Sequence, residues 1–505
     1  MAKQISYQSL TDIGLNGLNT QSNPASLDLS YLVKAENVVI RESGRIAFRK
    51  GLKQKVAPSG TSIASIHEHD DQGTNKIVVS YGTSIYVVDF TSPASAFPSS
   101  GADVKHTVSG SSGNWQFVNF NDRLHCFHAG IEPQRYDGSL SSGSRWTAHA
   151  TKPSTVSSNQ FKPTCGMGYY GRIWAGGVAE SPDVVYYSNL LDGDDWTGGD
   201  AGLIDLSKVW GIDDVIAIAP FYGKLVIFGK NNIVIYDRPE TVGSLALNEV
   251  IRGVGLVSRD TVQAIGDDLV FLSNTGLRSL GRTTEKDKLP LTDLSVNIKD
   301  TLIRNIGQSS NVKSVYVENE GIYIMSFVDK NITYVFDFKH FTPNNAPRIT
   351  TWTFDNDREP TSLSYTETYG LLVGQKDGGL AGYEGYYDTD LAGASTYSYS
   401  SYTSSIATTW INLGESIAAS FLKRLFLVLE GGSGATLGLK WYKDYSPSPS
   451  ETTSITLNPT TTGSTSLWGA STSLYGKSGV TYKPIYGLHE YKTPLTGSAK
   501  NLKLE

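Results

Sequence analysis

The chain of 505 residues has little cysteine, methionine and histidine: two, three and eight residues of each type. Two cysteines, Cys126 and Cys165, are too few for a disulfide framework in a chain of this length, which favours folding in a reducing, intracellular compartment. The N-terminus, MAKQISYQSL, has one cation and no apolar segment, so we expect no signal peptide.

Long hydrophobic runs and a basic surplus are also missing. No window approaches 18 consecutive apolar residues, so the sequence predicts no membrane-spanning helix and a soluble protein made in a cytoplasm. The formal net charge of −6 argues against a protein that holds nucleic acid on a broad basic face. It is compatible with a protein that nucleic acid slides past.

Residues that favour strands and turns are abundant. The chain has 51 Gly, 28 Tyr and long Ser/Thr stretches, which favour an all-β fold. A chain of this length exceeds one ordinary core, so we expect two or more domains.

A repeat becomes visible when segments are aligned by their turns. In each segment, turn-forming or charged residues precede an Ile or Leu, which begins a run of β-branched and aromatic residues. A second apolar run follows within hairpin distance. The anchoring residues recur every 44 to 53 positions and are Ile77, Leu124, Ile173, Leu225, Leu269, Ile322 and Leu371.

Hairpin units of this length match β-propeller blades, which have about 40–50 residues each. The sequence therefore predicts an all-β fold in which residues 61–390 form a β-propeller of seven blades, or six if one unit lacks an outer strand. A two-sheet sandwich with coincidental spacing is the alternative interpretation.

One substantial helix is predicted on an insertion between the fifth and sixth units, at 289–307. Apolar residues recur there every four positions, Thr292 or Asp293 can cap the start, and Gly307 can end the helix. The apolar positions are Leu294, Ile298, Leu302 and Ile306.

Two further regions flank the predicted propeller. Residues 391–505 are expected to form a smaller C-terminal β-domain, entered through a Ser/Tyr-rich connector at 391–405. Residues 1–60 contain a predicted hairpin with strands at 38–41 and 45–49, in which Gly44 supplies a left-handed turn conformation. We expect this hairpin to complete the final blade or to anchor against the second domain.

Candidate metal and nucleophile sites are weak. His67 and His69 share one face of a predicted strand and could bind a metal with Asp71, although a polar stretch before the first blade hairpin is the favoured interpretation. The run 125–128 could hold a nucleophile or a metal pair through His125, Cys126 and His128. Regular alternation would place the two histidines on opposite faces or in a turn, where they cannot share one ion.

Two loops resemble binding motifs without matching them. LDGDDWTGGD (191–200) lacks the ligand order of an EF-hand and is interpreted as a polar loop. GASTSLYGKS (469–478) has Ser471 where a phosphate-binding loop requires Gly. We therefore assign no catalytic, cofactor or metal residue and predict that the chain is not an enzyme, although scattered carboxylates leave a glycosidase pair open.

The stretch GLNTQSNPASLDLSYLVKAENVVIRESGRIAFRKG (17–51) resembles the start of tail hub, or nozzle, proteins of short-tailed bacteriophages. The positions that carry this resemblance are Pro24, Leu27, Leu29, Ala35, Asn37, Gly44, Ile46 and 49–51. Further segments that are similar to the same family lie at 184–196, 215–237, 251–281, 289–307 and 495–505.

This resemblance implies a propeller-based virion protein that forms a homohexameric tube below the portal and the adaptor, or head-to-tail connector. Its other implied partners are tail fibres or tailspikes. Double-stranded DNA would be retained by the tube and conducted through its lumen during ejection, without sequence-specific binding. The net negative charge agrees with this role, because an acidic lumen would repel phosphate.

Two other classes of function remain open from sequence. Exposed faces among the 28 Tyr and 9 Trp could bind sugars in a carbohydrate-binding or carbohydrate-cleaving propeller, a lectin or glycosidase. A scaffold propeller in a protein complex has the same composition as a tail protein.

Overall fold

The computed structural model describes residues 8–41, 44–88, 97, 105–111, 113–157, 159–281, 293–308, 311–355, 358–385, 402–413, 419–430, 436–457 and 488–505. The chain divides into two compact units. Glu36–Ser404 form one, which we call the propeller unit. Met1–Ala35 and Ser405–Glu505 form the other, which we call the terminal unit. The region 1–60 that the sequence analysis treated as one segment is thus shared between the two units.

Seven antiparallel sheets follow one another along the described part of the propeller unit, and we number them 1 to 7. Sheet 1 consists of Ile63–Asp71, Thr74–Tyr81, Ser84–Val88 and Lys105–Thr107. Sheet 2 consists of Gln116–Phe120, Arg123–His128, Ile131–Asp137 and Trp146–Ala148. Sheet 3 consists of Cys165–Tyr169, Arg172–Gly176, Val184–Tyr187 and Gly202–Asp205. Sheet 4 consists of Val215–Phe221, Lys224–Gly229, Asn232–Asp237 and Ala246–Arg252. Sheet 5 consists of Gln263–Ile265, Asp268–Ser273 and Gly276–Ser279. Sheet 6 contains Val312–Val317, Ile322–Phe327, Ile332–Phe341 and Pro347–Trp352. Sheet 7 consists of Pro360–Thr366, Gly370–Gln375, Leu380–Gly385 and Gly51–Val56.

The anchoring residues of the sequence repeat occupy equivalent places in these sheets. Each begins or lies within the second strand of its sheet, and each is at most 4% exposed. The near-continuous apolar runs of these strands are buried on both faces, because a neighbouring sheet covers each side.

The sheets pack side by side and close into a ring. Shared hydrophobic clusters join sheets 1 to 5 in sequence and sheet 6 to sheet 7, and the first strands of sheets 5 and 6 are in contact. A further cluster contains Ile63 and Ile77 of sheet 1 with Leu372 and Leu380 of sheet 7, so the last sheet meets the first. The predicted β-propeller is confirmed. The seven sheets favour seven blades over six, and that count stays a prediction.

The outer strand of sheet 7 comes from the N-terminal side of the ring. Gly51–Val56 pairs antiparallel with Leu380–Gly385, and the side chains of Leu52 and Val56 are fully buried. From sequence, the hairpin at 38–49 was expected to take this position or to anchor against the second domain. The strand after the hairpin fills the position instead, since Gly51–Val56 makes the backbone pairing with Leu380–Gly385.

The predicted hairpin itself exists as a separate two-stranded sheet. Val38–Ile40 pairs with Ile46–Phe48. Gly44 has a φ of 76°, and its N–H donates to the Arg41 carbonyl oxygen at 2.9 Å. The expectation that Gly44 supplies a left-handed turn conformation is confirmed.

The helix on the insertion between sheets 5 and 6 is shorter than predicted. It spans Lys299–Ile306 and follows the 3-10 turn Val296–Ile298. Asp293 does not cap the helix, because its side chain accepts the Ser295 N–H at 2.8 Å in an earlier turn. Thr292 lies outside the described residues. Gly307 follows the helix with a φ of −66°, which is not the left-handed ending expected of glycine. Shorter helical segments include Ser207–Trp210, Val242–Ser244 and Arg259–Thr261.

The terminal unit combines both ends of the chain, which extends the predicted C-terminal β-domain. Its strands are Gly17–Leu18, Tyr31–Glu36 at the boundary between the units, Ser405–Thr408, Ile411–Asn412, Ser420–Phe421, Arg424–Glu430, Thr436–Lys443, Glu451–Thr456, Leu488–Pro494, Ser498–Ala499 and Asn501–Leu504. Trp441, Leu502 and Ile411 are central to its core, against which Leu10 and Leu29 pack. In the described residues, no helix has the length and apolarity needed to cross a membrane.

Candidate functional site

The stretch HEHDD lies within the first strand of sheet 1 and not before it. His67 and His69 share one face of the strand, as predicted. This face contacts sheet 2: the His67 ring centroid lies 6.0 Å from that of Phe117, and the His69 ring centroid lies 5.8 Å from that of Tyr136. His69 Nδ1 lies 2.9 Å from the Asn119 side-chain oxygen. The histidines therefore bridge two neighbouring sheets.

Burial sets the charge of these histidines. It lowers the pKa of His67 to about 4 and also lowers the pKa of His69, so both imidazoles are neutral at pH 7. Asp71 accepts the Tyr136 hydroxyl at 3.1 Å and pairs with Lys76. The carboxylate is thus used in contacts within and between sheets 1 and 2.

The three candidates at 125–128 have separate surroundings. His125 Nδ1 lies 3.0 Å from His149 Nε2, and the Trp196 indole N–H donates to His149 Nδ1 at 3.0 Å. Because the indole only donates, His149 Nδ1 accepts and its Nε2–H donates to His125. His128 instead accepts the Gly130 N–H at 3.0 Å.

Burial also removes the reactivity expected of this run. The pKa of His125 is lowered to about 3 by burial and by the neighbouring Arg135 and Arg123. Burial lowers the pKa of His149 well below its usual value and raises that of the Cys126 thiol well above it. A buried thiol that stays protonated is a poor nucleophile. The two histidines and Trp196 instead form a polar contact between sheet 2 and the loop that follows the third strand of sheet 3.

The acidic loop 191–200 is held by its own carboxylates. Asp195 accepts N–H bonds from Thr197 at 3.1 Å and Gly198 at 3.0 Å, and the Thr151 hydroxyl at 3.0 Å. Asp194 pairs with Arg135 of sheet 2. These contacts agree with the interpretation of a polar inter-strand loop.

The glycine-containing segment 469–478 lies outside the described residues. Among the residues that are described, no group of three or more His, Cys, Asp and Glu side chains is placed to hold a metal ion.

A charged network that the sequence analysis did not identify surrounds Asp260. The Lys313 ammonium lies 2.7 Å from one carboxylate oxygen, and Arg259 Nε lies 3.0 Å from the other. The Asn114 amide donates to the same carboxylate, and the Ser65 hydroxyl donates to Asn114 at 2.9 Å. We call Ser65, Asn114, Arg259, Asp260 and Lys313 the axial cluster.

Its members come from the inner edge of the ring. Ser65 lies on the first strand of sheet 1, and Lys313 lies on the first strand of sheet 6. Asn114 precedes the first strand of sheet 2, and Asp260 precedes that of sheet 5. Arg259 donates to the carbonyl oxygen of Thr164, which precedes the first strand of sheet 3. First strands of neighbouring sheets contact one another and line the centre of the ring. The axial cluster therefore links five sheets near the axis.

Electrostatics favours ionised Asp260. Burial acts to raise its pKa, but Arg259 and Lys313 outweigh this effect and hold the pKa well below its usual range. About a quarter of the side chain, 24%, is still exposed, so water reaches the carboxylate. One carboxylate lies between two cations, so the three groups carry a net charge of +1, and their contacts with one another give the cluster a structural role.

A second network fastens the start of the propeller unit to its end. Arg49, which is fully buried, donates from Nε to the Asn37 side-chain oxygen at 3.0 Å and from its terminal nitrogens to the Lys50 and Thr353 carbonyl oxygens at 2.9 and 3.1 Å. The Tyr402 hydroxyl donates to the Arg49 carbonyl oxygen at 2.7 Å. We call this network the clasp; its residues are Asn37, Arg49, Thr353, Tyr402 and Thr403.

Aromatic rings enclose the guanidinium of the clasp. Its central carbon lies 3.8 Å from the Tyr402 ring centroid, 4.8 Å from Phe354 and 5.8 Å from Trp352. The Asn37 amide nitrogen donates to the Thr353 hydroxyl at 2.9 Å and to the Thr403 carbonyl oxygen at 2.8 Å. Residues from three distant parts of the chain therefore meet around one cation.

Neither network had a local sequence signal. The aromatic neighbours of Arg49 are about 300 to 350 residues away in the chain. Asp260 belongs to a short turn with no motif. Only the closure of the ring brings their partners together.

Comparisons with known proteins add the following. No family model matches the chain, and no curated protein sequence matches it. Among solved structures it is similar to Raptor of Chaetomium thermophilum, with 13% identity, a TM-score of 0.43, and coverage of 66% of this chain and 29% of Raptor. It is also similar to the Pan2 WD40 domain of Neurospora crassa, with 7% identity, a TM-score of 0.42, and coverage of 66% and 95%. It is similar as well to BamB of Moraxella catarrhalis, with 10% identity, a TM-score of 0.37, and coverage of 68% of this chain and 89% of BamB.

Proposed function

We propose that this chain is a structural virion protein that forms the tail nozzle, or hub, of a short-tailed bacteriophage. Copies of it assemble as a homohexameric tube below the portal and the adaptor, and tail fibres or tailspikes attach to that assembly. The tube retains packaged double-stranded DNA and conducts it during ejection.

The axial cluster is the observation that carries this proposal. It joins five sheets through ion pairs and hydrogen bonds, which is what a rigid wall requires. In many propellers the centre of the ring holds a ligand or a reaction centre. Here the groups near the axis are bound to each other, so the DNA path lies between copies of the chain and not along the axis of one propeller.

The resemblance of 17–51 to nozzle proteins supports the same role. Its matched positions include Asn37 and 49–51, which belong to the clasp and to the strand that completes sheet 7. Residues that a ring needs for closure are therefore among those that carry the resemblance. The net charge of −6 per copy also suits a lumen from which DNA must be released.

The polar residues at the weaker candidate sites also support a structural role. His69 and Asp194 each bond to a side chain of sheet 2 from a neighbouring sheet or its loop. His125 bonds to His149 within sheet 2, and His149 bonds to Trp196 in a loop of sheet 3. A protein whose buried polar groups stabilise its own ring is suited to bear load.

Size-exclusion chromatography with light scattering, followed by negative-stain microscopy of the purified full-length chain, tests this proposal. We expect six-fold rings with a central opening of roughly duplex width. The purified rings should bind free duplex DNA only weakly at physiological salt, because each copy carries a net negative charge. A chain that stays monomeric and binds or hydrolyses glycans in a glycan array would overturn the proposal in favour of a lectin or glycosidase.

A further inference from the structure

Two aromatic side chains meet at the surface of the terminal unit. The ring centroids of Trp410 and Tyr445 lie 4.9 Å apart, and the ring planes are inclined by 57°. Tyr445 is 53% exposed, and Trp410 is partly exposed. Because aromatic rings have large apolar faces, two rings that stay open to water form a surface suited to binding.

The turn that carries Tyr445 is anchored on both sides. Asp444 and Tyr445 have φ values of 47° and 65°, and a hydrogen bond between the backbones of the flanking residues closes the turn. The Asp444 carboxylate accepts the backbone N–H groups of Lys500 and Asn501 at 2.8 and 2.9 Å. The turn is therefore bound to the last strand of the terminal unit, and the Tyr445 backbone needs little ordering when a ligand binds.

Tyrosine is an unusual residue for this turn. Two successive positive φ values favour Asn-Gly or Asp-Gly, because glycine has no side chain to crowd the backbone. Tyr445 stands where glycine is expected, at a cost in backbone strain. The result is an aromatic ring that contacts Trp410 on one side and leaves more than half of its residue's surface in water. Contact with Trp410 alone does not require that exposure.

The sheet beside the two rings has a polar outer face. Leu502 and Trp441 point into the core of the terminal unit, so the residues that alternate with them along their strands lie on the outer face. Residues of this face include Asn412, Tyr442, Thr452, Ser454, Asn501 and Lys503. In the described strands of this sheet, no aliphatic side chain lies on that face. The centre of a protein–protein interface would require such side chains.

Hydrogen-bonding groups without a partner in the protein accompany the rings. The Trp410 indole N–H, the Tyr445 hydroxyl and the Asn501 side-chain amide make no hydrogen bond within the described part of the chain, and none of them is buried. Asn501 is held near Tyr445 because its backbone N–H bonds to Asp444, the preceding residue of the turn. Such groups can bond to the hydroxyls of a ligand. We call Trp410, Tyr445 and Asn501 the aromatic patch.

We propose that the aromatic patch binds a pyranose sugar of a polysaccharide or oligosaccharide. A pyranose ring has C–H groups on its faces and hydroxyls around its edge. Its face packs on Tyr445 and Trp410, and its hydroxyls bond to the Asn501 amide and to the polar groups of the two rings. This site lies in the terminal unit, outside the propeller unit, and it does not depend on the proposed homohexamer. It would add contact with glycans to the proposed role of the chain in the tail.

An array of bacterial polysaccharides and oligosaccharides, probed with the purified full-length chain, is the first test. We expect the native chain to bind at least one pyranose-containing glycan and Tyr445→Asn to weaken that binding at least about tenfold, because aromatic side chains carry much of the affinity of a binding surface. The melting temperature of Tyr445→Asn should stay the same or rise, since Asn suits the turn. Tyr222→Asn is the matched control, because Tyr222 is also exposed, with a φ of 46°, but lies in the propeller unit. It should leave glycan binding unchanged.

Tryptophan fluorescence, titrated with the glycan that the array identifies, is the second test. Binding should change the emission of the native chain, and Trp410→Phe should remove this change while an aromatic face is kept. Asn501→Ala should weaken binding several-fold without lowering the melting temperature. If the native chain binds no glycan, or if Tyr445→Asn and Asn501→Ala bind as tightly as the native chain, the inference is wrong, and hexameric rings would leave the proposed function standing. A monomer that binds glycans through the aromatic patch would support the inference and overturn the proposed function.

Discussion

Arg49 and Asn37 hold each other through two hydrogen bonds. The Arg49 guanidinium donates to the Asn37 side-chain oxygen at 3.0 Å, and the Arg49 backbone N–H donates to the Asn37 carbonyl oxygen at 3.1 Å. Both residues are fully buried, and Asn37 has a φ of 56°. The pair fixes the base of the hairpin beside the strand that completes sheet 7.

Replacing Arg49 with Met should destabilise the chain strongly. The carbonyl oxygens of Lys50 and Thr353 would lose a donor, and the aromatic rings would lose their cation. We expect a loss of about 1–3 kcal/mol in the free energy of unfolding, the cost of leaving buried acceptors without their hydrogen-bond donor. Urea unfolding followed by tryptophan fluorescence measures it.

Arg45→Met is the control for this change, because Arg45 lies in the same hairpin and is exposed. We expect its effect to stay within about 0.5 kcal/mol, as for most surface substitutions. Equal losses for the two variants would show that the clasp does not fasten the ring.

Gly44→Val should weaken folding more than Arg45→Ala. A β-branched residue at a φ of 76° is strained, at a cost of about 1–3 kcal/mol, whereas Arg45 is an exposed side chain. Thermal unfolding of the two variants side by side measures the difference. Equal melting temperatures would contradict the assigned turn.

Asp260→Asn should destabilise the ring by about 3 kcal/mol or more, because Arg259 and Lys313 would keep their charges with no carboxylate between them. Lys313→Met should also destabilise it. Because the two residues are in contact, the double variant should lose less than the sum of the single losses. Additive losses in this double-mutant cycle would refute a direct interaction.

The contribution of Asp260 should depend on pH in a defined direction. Its pKa is depressed in the folded chain, so the stability that it adds is fully present above the unfolded value of about 3.9 and is lost as pH falls toward the folded value. The difference in unfolding free energy between the native chain and Asp260→Asn should therefore shrink below about pH 4. A difference that stays constant down to the lowest pH at which the chain is folded would contradict this assignment.

Buried histidines should make the chain sensitive to mild acid. The pKa of His125 is about 3 in the folded chain, against about 6.5 in an unfolded chain, and that of His149 is lowered too. Below about pH 6 the unfolded chain binds protons that the folded chain does not, so each histidine removes up to about 1.4 kcal/mol of stability per pH unit.

The double variant His125→Gln and His149→Gln should show a shallower loss of stability between pH 6 and pH 4 than the native chain. His340→Gln replaces a half-buried histidine and serves as the comparison, with a smaller expected change in slope. Identical slopes for the native chain and the double variant would mean that His125 and His149 are not buried as neutral groups.

The sheets could be predicted from sequence because each depends on a local pattern. Leu225 and Ile322 begin apolar runs that recur at blade spacing, and both lie on second strands that neighbouring sheets cover. Gly44 could be predicted for the same reason, since a tight turn needs a residue that tolerates positive φ. The helix boundary was less accurate, because Asp293 has the chemistry of a cap but is used in an earlier turn.

The contacts of the charged residues could not be predicted in this way. The place of Arg49 in the core depends on Trp352, Phe354 and Tyr402, which only ring closure brings near. Asp260 likewise meets Lys313 and Asn114 only because first strands converge at the centre of the ring.

By itself the sequence determined the all-β propeller, its repeat and the turn at Gly44, because apolar periodicity and backbone conformation are properties of neighbouring residues. The tertiary structure decided which strand completes sheet 7, which charges are buried, and that Trp410 and Tyr445 meet at the surface. Those outcomes depend on the distance between residues far apart in the chain, which packing sets and local pattern does not contain.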